Sequence, residues 1–155
     1  MNKNPSFTID HEHLLRGIYV SRKDEVGGEV VTTFDIRMKE PNREPALHNG
    51  ALHTIEHLAA TYLRNSDFKE QVVYFGPMGC RTGCYLVMFG DLTSADVYDK
   101  VLKMCDFIIG FEGEIPGAKP EECGNYSEQN LEMAKFYIKK YKDELLKYKR
   151  LEYPI

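Results

Sequence analysis

Gly27-Gly28 stands between two strand-like runs, GIYVSRKDE before it and EVVTTFDIRMK after it. A two-glycine link supplies the positive φ angles of a tight hairpin and is far too short for a crossover helix, so the two runs are predicted to pair antiparallel. The second run alternates. Val30, Thr32, Phe34, Ile36 and Met38 share one face; Thr33, Asp35, Arg37 and Lys39 share the other. EPNREP, Glu40 to Pro45, ends the pattern.

Helical spacing begins next. A helix is predicted from His48 or Asn49 to Asn65, with Leu52, Ile55, Ala59 and Tyr62 recurring at three- and four-residue intervals. QVVYF and GCYLVMFG read as buried strands on either side of a glycine turn, Gly76 to Gly83. TSADVYDKVLKMCDFIIGF is a second amphipathic helix, capped by Thr93 or Ser94 and striped by Val97, Val101, Met104, Cys105 and Ile108. A loop follows, and a last helix starts near Ser127 with Leu131, Ala134, Ile138, Tyr141 and Leu145 on one face. No repeat or linker divides the chain. Hairpins in place of βαβ units predict an α+β fold, a mainly antiparallel sheet packed against helices in a single domain, residues 1–155.

Charge and cysteine usage narrow the function. A net charge of −4 over 155 residues argues against binding driven by phosphate contacts. The lysine-rich end, KFYIKKYKDELLKYKR, reads as a solvated helix face diluted by Asp143 and Glu144. No apolar run approaches the roughly 20 residues that span a bilayer, and the N-terminus carries no signal-peptide hydrophobic region. A cytoplasmic protein with no nucleic-acid or membrane partner is expected, in a compartment where thiols stay reduced. Four cysteines at uneven spacing (Cys80, Cys84, Cys105, Cys123) do not form a secreted disulfide framework.

The strongest chemical signal is LHTIEHLAA. His53 and His57 lie one helical turn apart and face the same way, so both imidazoles can grip one cation, with Glu56 at the flank to move protons. Two histidines need at least one further ligand. Cys123, Cys80, His11 and His13 are the candidates; Cys105 belongs to an apolar stripe. An H-x-x-E-H metallopeptidase would need a downstream glutamate as third ligand, and a structural metal site would need a fourth protein ligand.

SFTIDH, FDIR, LHTIEHL followed by LRN, GPMGCRTG and EECGNY occur in this order across nearly the whole chain. Together they resemble S-ribosylhomocysteine lyase, the LuxS family. The resemblance implies the single-domain α+β fold of the LuxS, metallohydrolase-like type. It implies His53, His57 and Cys123 as ligands of one divalent metal per subunit, Fe(II), with Zn or Co(II) able to substitute. It implies Glu56 and Cys80 as the acid/base pair, and Ser6, His11, Arg37 and Arg64 as substrate-binding residues. It implies S-ribosylhomocysteine as substrate and a homodimer with sites at the interface. Arg81 and the cation are then expected to favour a Cys80 thiolate, and Gly79 and Gly83 to let the backbone approach substrate. Two departures stand out. Tyr74-Phe75-Gly76 replaces a stretch where the family carries an Asp and an Ile, and Cys84 replaces an aromatic residue, leaving Cys84 packed or idle.

Overall fold

The computed structural model describes residues 1–155. β1 (Gly17–Val26) and β2 (Glu29–Arg37) form the hairpin, turning through Gly27 at φ 56° and Gly28 at φ 84°. β3 (Val72–Pro77) and β4 (Gly83–Phe89) form a second antiparallel pair. β4 lies against β2, so the sheet order is β1-β2-β4-β3 and every neighbour is antiparallel. The α+β expectation holds.

Three helices cover one face of the sheet. α1 (Asn49–Arg64) is capped by His48, whose Nδ1 accepts from the Gly50 N–H at 3.2 Å. α2 (Ser94–Gly110) starts in a capping box in which Thr93 and Asp96 each satisfy the other's backbone N–H. α3 (Leu131–Tyr148) begins later than the spacing predicts. Residues Tyr126–Glu128 form a short 3-10 turn, and Asn130 is the cap. The reason is that Gln129 and Asn130 bond back to Thr54 of α1, which ties this segment to another helix instead of its own axis.

The core lies between sheet and helices. Ile18, Phe34, Ile36, Cys84, Leu86 and Met88 from the sheet meet Ile55, Leu58 and Ala59 of α1, the predicted stripe of α2, and Ala134, Ile138, Tyr141 and Leu145 of α3. Cys84 and Cys105 sit there, each free and fully buried. On α3 the lysines face outward as expected, with Lys139 paired to Asp143 at 3.6 Å.

The opposite sheet face is not uniformly wet. Asp35 is 0% exposed and Arg37 2%, although both stand on the polar side of the β2 alternation. The chain after α3 folds back to cover them. Arg150 accepts the Ile18 N–H at 3.0 Å, and Tyr153 stacks on Tyr19 with ring centroids 4.6 Å apart. No helix is long and apolar enough to cross a membrane.

Candidate metal centre

α1 places His53, Glu56 and His57 on a half-buried surface beside the loop that carries Cys123. The two imidazole rings lie edge-on, centroids 4.6 Å apart. Cys123 Sγ is 3.4 Å from His53 Nε2, and the ligand atoms of His53, His57 and Cys123 all fall within 4.8 Å of one another. The local fold brings the thiol here. Cys123 N–H donates to Lys119 in a tight turn, and Thr54 anchors the chain a few residues on, through Gln129 at 2.7 Å and Asn130 at 3.0 Å.

The far nitrogens fix the tautomers. His57 Nδ1 lies 2.7 Å from the Pro116 carbonyl, which can only accept, so Nδ1 carries the proton and Nε2 keeps its lone pair. His53 Nδ1 donates likewise to Glu128 at 2.8 Å. Each imidazole therefore offers a free Nε2 with an oriented partner behind it, the support that metal-ligating histidines use. Gly117, at φ 76°, lets the loop pass over His57; a Cβ there would stand 3.0 Å from Nδ1. The third donor is also prepared, since the Asn125 N–H points at Cys123 Sγ from 3.5 Å. Two imidazole nitrogens and one sulfur suit a late divalent ion and leave room for a further, exchangeable ligand.

Glu128 meets His53 on the side away from this cluster, so it supports a ligand and does not replace Cys123. The third-ligand glutamate that a metallopeptidase needs is not in the group, and neither is a fourth protein donor.

A cleft of about 460 Å³ opens beside the cluster. His53, Glu56 and Glu128 line one wall; Pro77, Met78, Gly79 and Arg81 of the glycine turn line the other. That turn carries Cys80, which is exposed, whereas Cys84 points into the core. The pair four residues apart is thus split between solvent and interior. Burial pushes the Cys84 thiol well up, with the Glu56 carboxylate adding to the effect.

The cation beside Cys80 is not the one expected. Arg81, left-handed at φ 60°, reaches Asn49 at 3.1 Å. Arg37 lies against the thiol instead, with Nη1 3.9 Å from Cys80 Sγ and 2.7 Å from Thr82 Oγ1. Gly83 also serves a different purpose: a Cβ there would strike the Ile36 carbonyl at 2.3 Å, so it allows β4 to pair closely with β2.

Of the residues that the sequence predicts for the site, His53 and Glu56 line this cleft; His57 and Cys123 adjoin it through the donor cluster, Cys80 through the glycine turn and Arg37 through Cys80, while Ser6, His11 and Arg64 make other contacts. Ser6 lines a second concavity of about 320 Å³ on the outer sheet face, beside Tyr74 and Tyr85. His11 Nδ1 meets the Ile9 carbonyl at 2.8 Å. Arg64 donates to the Val72 and Val73 carbonyls, each at 3.0 Å, and so steadies the start of β3. Sequence reasoning missed Glu128, Pro116, Thr82 and Asp35 as supports. Only Asp35 carried a visible signal, being two residues from Arg37 and therefore on its face.

A family model described as S-Ribosylhomocysteinase (LuxS) matches residues 5–152. The chain is 64% identical over 149 residues to the S-ribosylhomocysteine lyase of Phocaeicola vulgatus, covering 96% of this chain and 92% of that protein. It is 59% identical over 147 residues to the protein of the same name from Porphyromonas gingivalis strain W83, covering 94% and 92%. It is 53% identical over 156 residues to that of Finegoldia magna, covering 99% of each.

Proposed function

The chain belongs to the S-ribosylhomocysteinase (LuxS) family, and we propose that it cleaves the thioether of S-ribosylhomocysteine to homocysteine and 4,5-dihydroxy-2,3-pentanedione. The observation that carries this reading is the open donor set His53, His57 and Cys123, facing the Cys80 turn across a cleft that Glu56 lines.

The reaction moves a carbonyl along the opened sugar from C1 to C2 to C3, then eliminates across C4–C5. Each step removes a proton beside a carbonyl or returns one. His53, His57 and Cys123 would hold one divalent ion, proposed as Fe(II) with Zn or Co(II) able to substitute, which would supply Lewis acidity to the opened sugar. Glu128 and the Pro116 carbonyl orient the two imidazoles by bonding their Nδ1 atoms. Glu56 takes and returns protons from the α1 side. Cys80 does the same from the opposite wall, where Thr82 and the Arg37 guanidinium meet its sulfur.

Ser6, His11 and Arg64 are proposed as substrate contacts, with Ser6 and His11 reaching the site of a partner copy in a homodimer. This is supported by Ser6 lining a different concavity from the cleft beside the donor set, and by Phe7, which stands 72% exposed next to Ser6. The chain is proposed to act as one domain in the cytoplasm, where Cys80 and Cys123 stay reduced. The test is to incubate metal-loaded protein with S-ribosylhomocysteine and follow free thiol. Stoichiometric homocysteine release is expected; metal-loaded protein that releases none refutes the assignment.

A further inference from the structure

Asp35 and Arg37 form a buried ion pair on the outer face of the sheet, 0% and 2% exposed. Well-packed apolar residues often replace a buried ion pair at no cost to stability, so packing is a weak reason for this one. Its geometry gives one. Arg37 donates from Nε to Asp35 Oδ1 at 3.0 Å and from Nη2 to Oδ2 at 2.6 Å. The guanidinium is a rigid plane, so this grip leaves Nη1 a single direction. It points to Thr82 Oγ1 at 2.7 Å and Cys80 Sγ at 3.9 Å, while Thr82 Oγ1 itself lies 3.1 Å from that sulfur.

Asp35 has a further donor from the far end of the chain. The Tyr153 hydroxyl donates to Oδ2 at 2.7 Å, and its ring is held by the stack on Tyr19. The strap that carries Tyr153 is fastened by the bond from Ile18 N–H to Arg150 and by Arg150 donating to Arg16 and Glu144.

We propose that Tyr153 is a positioning residue for Cys80: its phenol fixes the Asp35 carboxylate, Asp35 fixes the plane of Arg37, and Arg37 with Thr82 sets the thiol. The proposal deepens the lyase reading and rests on it for the role of Cys80. The other titratable groups facing Asp35 are Tyr19 of β1, Tyr85 of β4 and Tyr141 of α3; Tyr85 and Arg37 are those facing Cys80. Burial raises all three of those phenols and Tyr153, so they stay neutral across the pH range of the test. The Arg150 and Arg22 guanidinium groups lie near Tyr19 and Tyr85, respectively, and act against the rise that burial causes.

The test uses the metal-loaded full chain and iodoacetamide, from about pH 5 to about pH 9, with modification at Cys80 read by peptide mass. Tyr153→Phe keeps the ring and its stack and removes the hydroxyl that bonds Asp35 and meets Ser21. Its Cys80 rate is expected to fall roughly threefold to tenfold near neutrality, with the pH profile displaced upward. Asp35→Asn is expected to fall further. Tyr19→Phe removes a hydroxyl that bonds Leu15, not Asp35, and is expected to match wild type. A wild-type rate in Tyr153→Phe, or equal falls in Tyr153→Phe and Tyr19→Phe, overturns the proposal. Homocysteine release is followed on the same samples. Its absence in wild type sinks the lyase reading, and the alkylation comparison still judges the Tyr153 chain by itself.

Discussion

The two walls of the cleft are built in opposite ways. On the α1 wall, each imidazole is half-buried and is aimed by one neutral or charged acceptor at its far nitrogen, Pro116 or Glu128. On the Cys80 wall, an exposed thiol is aimed by a buried charge pair two residues apart on β2. The first arrangement holds ligands that a cation will complete, and one loop carbonyl and one carboxylate suffice for that. The second must keep a thiol placed with no cation of its own as a ligand, and it relies on a guanidinium locked in a dry environment. Support for metal binding and support for proton transfer are therefore separable by mutation.

The largest effects should fall on turnover with metal retained. Glu56→Gln and Cys80→Ala are expected to bind metal at wild-type stoichiometry while losing turnover by about 10²–10⁴-fold. Metal analysis beside a homocysteine assay checks this, and joint loss of metal and turnover would merge the two walls.

Asp35→Asn comes next. It leaves the Arg37 charge buried and unpaired, at a cost of about 3–5 kcal/mol in chemical denaturation. Metal affinity, measured by chelator competition on the folded protein, should be unchanged. Glu128→Gln is the reciprocal case. It should weaken metal binding about 10- to 100-fold and barely alter the melting temperature, because Glu128 is a surface partner of one ligand. Equal loss of affinity in both variants would dissolve the distinction.

These differences also explain what could be read from the chain. The hairpin, the helix stripes and the His53–His57 pair are local, set by periods of 2 and 3.6, and each appears where the spacing puts it. The link from Cys123 to His53 spans 70 positions; residue chemistry leaves Cys123 as one of four candidates, and the resemblance to known lyases singles it out. The α3 start was misplaced because Thr54, a residue of another helix, captures Gln129 and Asn130. Adjacency in sequence predicts Arg81 as the partner of Cys80, yet Arg81 is left-handed and its side chain reaches Asn49. Alternation places Asp35 and Arg37 on one face of β2 but does not report what covers that face, and the cover is the strap that carries Tyr153.

The smallest predicted effect belongs to the core behind both walls. Burial raises Cys105 from 9.0 to about 12 and Tyr19 from 10.0 to about 12. Below about pH 9 both groups are neutral whether folded or not, so this contribution is fully present. Between about pH 9 and about pH 12 the unfolded chain releases protons that the folded chain keeps, so stability falls as pH rises. Denaturation across that window should show the decline, and Cys105→Ala should flatten it. A decline of the same slope in Cys105→Ala would remove Cys105 from the cause.

The most direct test of the open His53–His57–Cys123 centre is the visible spectrum of the Co(II)-loaded protein. A thiolate-to-cobalt charge-transfer band is expected in wild type, lost in Cys123→Ser and shifted when S-ribosylhomocysteine is added. A band that survives Cys123→Ser, or that ignores the substrate, would contradict the arrangement.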